Sequence, residues 1–224
     1  MQIVSRTPPS LVLFSGLAAD RRLVRPQTRA LPAEVPAWID PLDHEPVVDY
    51  ARRMAATVRS PPPYVLAGIS FGAMIALEAA RFLPTSAVVM IAGGRSGRVV
   101  NPILRAVSKI VPWVPDFAVE NLGPFVRPTL RALGEKLDRF GLDLLRAMFE
   151  NASPRVIRWG LPAVMEWHFQ GQDPCPVRHV HGTRDRLIPL RLANADVAVP
   201  GGHLINFTQA EAVNRVLVDT IRRR

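Results

Sequence analysis

The chain has 224 residues, of which 48% are hydrophobic and 21% are charged, and this composition excludes an intrinsically disordered protein. The length is sufficient for one domain with a full hydrophobic core. The formal net charge is +9, but the basic residues are spread from Arg6 to Arg224 without a long block. Because nucleic-acid-binding proteins concentrate basic charge on one face, no nucleic-acid partner is expected.

Cysteine content and apolar runs indicate the compartment. Cys175 is the only cysteine, so an intrachain disulfide cannot form and an oxidising compartment is not indicated. The apolar run 11–19 is too short for a membrane span and lacks the basic start and cleavage site of a signal peptide. We therefore expect a cytoplasmic protein without a membrane span. The sequence contains no HExxH, GxGxxG or P-loop motif, so neither a metal nor a cofactor is expected.

Short apolar runs alternate with helical patterns along most of the chain. Strands are predicted at 11–14, 35–40, 64–67, 87–92, 177–180 and 196–199, and helices at 47–58, 73–81 and the carboxyl-terminal segment. Continuous apolar strands that alternate with helices predict an α/β fold, with a mostly parallel sheet covered by helices on both faces. The last helix is predicted to begin with the capping box Thr208-Gln209-Ala210-Glu211.

The alternation stops between residues 97 and 172. This stretch shows helical periodicity, is interrupted by prolines and contains no clear strand. We therefore predict a core formed by residues 1–96 and 173–224, with a helical insertion at 97–172. The insertion is rich in leucine and aromatic residues, which are typical of an apolar pocket as well as of ordinary packing.

The segment Gly68-Ile69-Ser70-Phe71-Gly72 follows a predicted strand and precedes a predicted helix. It matches the pattern small-x-Ser-x-small, in which a serine occupies a tight strand-to-helix turn with its hydroxyl pushed out of the sheet. The flanking glycines are required because any side chain there would collide with the turn. The pattern thus predicts Ser70 as a nucleophile.

Serine is a weak nucleophile at neutral pH, so Ser70 needs a base, and the base needs an acid to orient it. Asp185 follows the strand predicted at 177–180, and His203 follows the run at 196–199. Both positions are therefore expected at carboxyl ends of strands, as Ser70 is. The order Ser70, Asp185, His203 along the chain, together with the elbow and the HGxxD segment at 181–185, resembles the α/β-hydrolase superfamily over nearly the whole length.

The resemblance implies roles for these residues. Ser70 would attack a carbonyl, His203 would accept and return the proton, and Asp185 would orient the imidazole. The backbone amides of Leu17 and Phe71 would form the oxyanion hole, although the loop before Leu17 has Ser-Gly where many family members have His-Gly.

Two site assignments leave alternatives open. Only 17 residues separate Asp185 from His203, fewer than is common in the family, so Asp196 is an alternative acid. His181 is expected to orient the acid loop rather than to act as the base.

The resemblance also implies that residues 97–172 form a lid over Ser70. A serine at the elbow argues against dehalogenase or epoxide-hydrolase chemistry, because those relatives have aspartate there. The expected activity is hydrolysis of small carboxylic esters through an acyl-serine. The alternatives are a thioesterase or acyltransferase that uses the same intermediate, and a non-catalytic binding protein. The physiological substrate, its acyl chain length and the oligomeric state stay open.

Overall fold

A parallel sheet forms the centre of the molecule. The computed structural model describes residues 8–115, 117–118, 121, 123–133 and 135–223. Five strands follow one another across the sheet in chain order: β1 (Ser10–Phe14), β2 (Tyr64–Ile69), β3 (Thr85–Ile91), β4 (Val177–Gly182) and β5 (Val197–Val199). Every neighbouring pair is parallel, so the carboxyl ends of all these strands lie at one edge.

Helices and the turns between them connect the strands. The helices are α1 (Arg25–Ala30), α2 (Val47–Ala55), α3 (Phe71–Ala79), α4 (Pro102–Ser108), α5 (Gly123–Ala132), α6 (Arg139–Glu150), α7 (Pro154–Glu166), α8 (Leu190–Ala193), α9 (Ile205–Thr208) and α10 (Ala210–Arg222). Two turns of 3₁₀ helix span Gly97–Val99 and Val111–Trp113. In the part of the chain that the structure describes, no helix combines the length and apolar character needed to cross a lipid bilayer.

Side chains on the strands alternate between two core layers. In β1, Val12 and Phe14 pack with α2 and α3 on one face of the sheet. Leu11 and Leu13 pack on the other face, together with Leu23 before α1 and with buried residues of α10. A strand that is apolar on both faces must be covered on both. The predicted parallel sheet with helices on both faces is thus confirmed.

The insertion predicted at 97–172 lies between β3 and β4. In its described residues it consists of helices and turns without a strand of the sheet. Its two ends are hydrogen-bonded to each other: Gly97 N donates to Trp167 O and Phe169 N donates to Arg95 O, both at 2.8 Å. An ion pair between Arg95 and Asp173 lies beside these bonds. The chain therefore leaves and re-enters the core at neighbouring points.

The strand predicted at 35–40 does not form. Glu34 makes an isolated parallel bridge with Val12, through bonds to Leu11 and Leu13, and the pairing ends there. Pro36 supplies the physical reason, because proline has no N–H to donate to a ladder.

The predicted capping box is also wrong. Thr208 already belongs to helix α9, and its hydroxyl donates to Leu204 O at 3.3 Å rather than accepting from an amide of the next helix. Gln209 precedes α10 without a capping hydrogen bond from its side chain. A threonine inside a helix does not have the extended backbone that an N-cap requires.

Candidate active site

Three of the residues singled out in the sequence lie at the carboxyl edge of the sheet. Ser70 follows β2 directly, Asp185 follows β4, and His203 follows β5. A hydrogen bond from Arg184 N to Gly201 O, at 2.8 Å, joins the loop of the aspartate to that of the histidine. Parallel pairing thus brings to one edge residues that are far apart in the chain.

The turn at Ser70 has the strained backbone expected of an elbow. Ser70 has φ 55° and ψ −115°, outside the regions favoured by non-glycine residues. Its amide donates to Ile91 O at 2.9 Å, which attaches the turn to β3. A methyl group on Gly68 would overlap the backbone of Gly72, and one on Gly72 would overlap the carbonyls of Phe14 and Ser15. The turn therefore requires glycine on both sides of the serine.

Asp185 and His203 form a buried pair. Nδ1 of His203 donates to Oδ2 of Asp185 at 2.8 Å, and Oδ1 of Asp185 accepts from the amides of Leu187 and Ile188, each at 2.8 Å. Burial alone would raise the pKa of Asp185, but His203, His181 and the Ile188 amide hold that pKa far below its ordinary value. Burial lowers the pKa of His203, and Asp185 reverses this effect, so the pKa of His203 lies above its ordinary value. A buried carboxylate that stays ionised can orient an imidazole and stabilise its protonated form.

Two further histidines extend this cluster. His181 Nε2 lies 2.8 Å from Ile188 O and 3.0 Å from Asp185 Oδ2; both are acceptors, so this nitrogen carries the proton. His179 Nε2 lies 3.1 Å from His181 Nδ1, and burial lowers the pKa of His179 to about 4. Within the described residues, no group of three or more His, Cys, Asp or Glu side chains is arranged to hold a metal ion.

Asp196, the alternative acid, is placed differently. Its Oδ2 accepts from the backbone amide of His179 at 2.7 Å, at the start of the β4–β5 pairing. The side chain that the structure brings to His203 is that of Asp185.

Of the two predicted oxyanion residues, one lies in the elbow and the other in the turn after β1. Phe71 is the first residue of α3, where a helix leaves its amides without intrahelical acceptors. Leu17 lies in the turn after β1, and the carbonyls of Phe14 and Ser15 just before it contact Gly72. This turn is attached to the core through Gly16 O, which accepts from Trp38 Nε1 at 3.1 Å.

Helix α7 of the insertion contacts both predicted oxyanion residues through their side chains. Leu17 packs against Gly160, where an added methyl group would collide with the leucine. The ring of Trp159 meets that of Phe71 edge to face, with centroids 5.9 Å apart, and lies 4.3 Å from that of Tyr50. Trp38 contacts Phe71 from another side, at 5.2 Å. Aromatic side chains thus surround the residue that follows Ser70.

A wide groove lies beside this aromatic cluster. It has a volume of about 1160 Å³ and runs between the loop 41–48 and helix α7. Trp159 belongs to its wall, as do Glu78 in the last turn of α3 and Arg81 just after that helix. Among the described residues, neither Ser70 nor His203 lines it, so the groove adjoins the catalytic candidates only through the aromatic cluster.

Glu135 is a buried carboxylate that sequence reasoning missed. It lies between α5 and α6 of the insertion, and it accepts from the backbone amides of His203 and Leu204. Burial raises its pKa above the ordinary value, against the opposite influence of the His203 amide and charge. Nothing in the sequence around residue 135 distinguishes this glutamate from an exposed one.

Comparison with known proteins assigns the chain to a family. Residues 7–216 match the sequence profile of the alpha/beta hydrolase family. The comparison with curated protein sequences gives no match.

Solved structures share the fold at low sequence identity. An esterase from Thermogutta terrifontis superposes with a TM-score of 0.65 at 18% identity, covering 97% of this chain and 90% of that one. The enol-lactonase from Burkholderia xenovorans LB400 gives a TM-score of 0.72 at 14% identity, covering 98% and 93%. An esterase from Exiguobacterium antarcticum gives 0.67 at 12% identity, covering 96% and 92%. Together with the profile match over nearly all of the sequence, the sheet and the elbow lead to one conclusion: the chain belongs to the alpha/beta hydrolase family.

Proposed function

We propose that the protein is a serine hydrolase that cleaves small carboxylic esters through an acyl-serine intermediate. The observation that carries this proposal is the 2.8 Å hydrogen bond between His203 Nδ1 and the ionised Asp185, at the same sheet edge as the strained Ser70. This bond leaves Nε2 of His203 as the nitrogen that accepts the serine proton. The structural relatives include two esterases and an enol-lactonase, which is consistent with ester chemistry.

Acylation follows from these positions. Ser70 Oγ attacks the ester carbonyl while its proton moves to His203 Nε2, and Asp185 stabilises the imidazolium. The carbonyl oxygen becomes an oxyanion that accepts hydrogen bonds from the amides of Leu17 and Phe71. When the tetrahedral intermediate collapses, the ester C–O bond breaks and His203 donates its proton to the departing alcohol.

Deacylation uses His203 again, first as the base for water and then as the acid that reprotonates Ser70. A water molecule loses its proton to His203 Nε2 as its oxygen attacks the acyl carbon, and the same amides stabilise the second oxyanion. The bond to Ser70 Oγ then breaks, the carboxylic acid leaves, and His203 returns the proton to the serine. Loss of one oxyanion donor typically lowers such a rate by about 10²–10³-fold.

We further propose that the insertion at 97–172 is a lid for this site. Helix α7 supports the assignment because Gly160 packs on Leu17 and Trp159 packs on Phe71. These contacts surround the elbow with apolar surface, which suits an apolar acyl or alcohol group more than a charged one.

A fluorophosphonate probe tests the nucleophile. We expect wild-type protein to be labelled and Ser70→Ala protein to stay unlabelled, with unchanged thermal unfolding. An unlabelled wild type, or equal labelling of both proteins, would contradict an activated Ser70.

Substrate assays test the ester assignment. Purified protein should hydrolyse p-nitrophenyl esters of short and medium acyl chains with a higher kcat/KM than the matching acyl thioesters. The reverse preference would assign the same acyl-serine to a thioesterase or an acyltransferase.

A further inference from the structure

The loop that carries His203 has little side-chain support of its own. It is formed by Gly201, Gly202 and His203, and a methyl group on Gly182 would overlap the carbonyl of Gly202. The close approach of β4 thus constrains one side of the loop. On its other side, the amides of His203 and Leu204 point into the protein and need acceptors, because a buried unpaired N–H is costly.

Glu135 supplies those acceptors from the insertion. Its Oε1 accepts from His203 N, its Oε2 lies 3.4 Å from Leu204 N, and its carboxylate occupies the space beside Gly202 where a side chain would stand. Hydrogen bonds to an ionised acceptor are about twice as strong as neutral ones. One carboxylate thus fixes the main chain on both sides of the His203 α-carbon.

His203 therefore lies between two acids from different parts of the chain. Asp185 contacts its ring and Glu135 its main chain, and both act to keep the imidazole protonated. His181 faces Asp185 from behind. Two buried carboxylates stabilise a positive charge on one histidine.

We propose that Glu135 is a positioning residue for His203, through which the insertion holds the histidine loop and adds a second negative charge beside the imidazolium. This role rests on the proposed function of His203 as the base. It also gives the insertion a direct connection to the proton-transfer machinery.

The Glu135→Gln variant tests this role because it keeps the shape of the side chain and removes its charge. We expect kcat/KM at neutral pH to fall by up to roughly 100-fold through misplacement of the base. The acid limb of the pH profile should move to lower pH, because a lost negative charge makes His203 easier to deprotonate. Glu150→Gln, which removes an exposed glutamate of the same insertion, should leave both unchanged.

Nuclear magnetic resonance titration of the His203 ring separates this inference from the proposed function, because it requires no turnover. A His203 pKa that is equal in wild type and Glu135→Gln would overturn the positioning role, even if Ser70 is labelled normally. If the variant does not fold, carbon-13 labelling of glutamate in wild type replaces it: the Glu135 carboxyl signal must shift as His203 titrates. An invariant signal would also overturn the role.

A second inference comes from an independent feature, an apolar stripe on the outside of the insertion. Ile103 and Val107 are one turn apart in α4. Val107, Ile110 and Trp113 are related by successive i→i+3 hydrogen bonds of 3.0 Å, which place their side chains in line. Their exposed fractions are 72% for Ile103, 44% for Val107, 64% for Ile110 and 86% for Trp113. We call these four residues the outer stripe.

The outer stripe is not part of the core. The opposite side of the same segment already packs inward through Leu104 and the buried Val111. Apolar residues on both sides of a segment indicate a second contact for the outer side.

The charged residues near the outer stripe indicate what kind of surface it binds. Residues 97–115 include the exposed Arg98 and Lys109 and no aspartate or glutamate, whereas Arg105 turns its guanidinium to the carbonyls of Arg98 and Val100. Contact between two copies of this face would bring like charges together, whereas an anionic lipid surface complements them. Aromatic and aliphatic side chains beside basic ones are the composition of segments that lie in a membrane interface.

We propose that the outer stripe binds the surface of anionic lipid membranes. Co-sedimentation with vesicles tests this, with phosphatidylcholine alone compared with phosphatidylcholine that contains phosphatidylglycerol. Wild type should bind the anionic vesicles and be released by added salt. The double variant Ile110→Ser, Trp113→Ser should bind at least about tenfold more weakly, and Leu192→Ser, an exposed leucine outside the insertion, should bind like wild type.

Other outcomes overturn the lipid assignment. Absence of binding, or equal binding to both kinds of vesicle, would show that the outer stripe does not recognise anionic lipid. A concentration-dependent dimer in analytical ultracentrifugation that the double variant abolishes would assign the outer stripe to a second copy of the chain. Lys109→Glu gives a check that leaves the apolar residues intact, and it must weaken binding to anionic vesicles.

Discussion

At the scale of single residues, the environment of His203 determines when the proposed base can work. Burial lowers its pKa, but Asp185 and Glu135 outweigh burial and raise the pKa above the ordinary value. A general base must be neutral to accept a proton. We therefore expect kcat/KM for a p-nitrophenyl ester to rise with pH and to reach half of its plateau above pH 6.5. A half-maximum below that pH would contradict the arrangement.

The Asp185→Asn variant provides the matched comparison. Without the carboxylate, the pKa of His203 should fall and the acid limb should move to lower pH. At the same time kcat should drop by about 10⁴-fold, since the asparagine amide does not hold the required tautomer. A variant that kept full activity would show that another group orients His203.

The three catalytic candidates could be predicted from the sequence because each follows a strand or lies in a motif. The spacing that made Asp196 an alternative is explained by the short elements in between: α8 has 4 residues and β5 has 3. The role of Glu135 could not be predicted from the sequence. Its partners are backbone amides nearly seventy positions away, and backbone amides leave no trace in sequence.

At the scale of elements, the elbow depends on how closely β1, β2 and α3 approach one another. Gly72 contacts the carbonyls of Phe14 and Ser15, which are rigid backbone atoms that cannot move aside as a side chain would. We expect Gly72→Ala to destabilise the protein by about 2 kcal/mol or more and to abolish labelling of Ser70. Urea unfolding and the fluorophosphonate probe measure the two effects.

Gly171 is the control for that substitution. A methyl group there meets nothing within 4 Å, so the expected destabilisation comes from the φ of 81°, which residues with a side chain rarely adopt. Gly171→Ala should therefore lose about 1 kcal/mol and keep its labelling. Equal losses for both variants would contradict close approach as the reason for the glycine at 72.

Strands and helices with regularly spaced apolar residues could be predicted from their own sequence, as the central strands of the sheet and the helices beside them were. Elements whose formation depends on the residues next to them could not be predicted in this way. The predicted strand at 35–40 had apolar residues, but Pro36 and the turn of Trp38 toward Gly16 removed its pairing. The capping box failed because α9 precedes Gln209 immediately, and the local pattern does not report that helix.

At the scale of the whole molecule, the insertion and the core both contact the candidate active site, at Leu17, Phe71 and His203. The sequence predicted an insertion from the absence of strands between 97 and 172. It did not show which helix would lie against the elbow, because aromatic residues occur throughout that stretch. Helix α7 contacts Leu17 and Phe71, and Trp167 just after this helix is hydrogen-bonded to Gly97 at the other end of the insertion.

Trp159 is the side chain through which this attachment can be tested. Its ring packs on Tyr50 and Phe71, and its Nε1 donates to Glu45 O at 2.8 Å across the boundary between insertion and core. Trp159→Ala should cost about 2–3 kcal/mol, somewhat less than a fully buried tryptophan. It should also lower kcat/KM more for medium than for short acyl esters, because the apolar surface beside Phe71 is lost. Phe125→Ala, an exposed aromatic of the same insertion, should change neither quantity. If Trp159→Ala lowered kcat/KM equally for all chain lengths, the tryptophan would support the fold of the elbow without contributing to the substrate pocket.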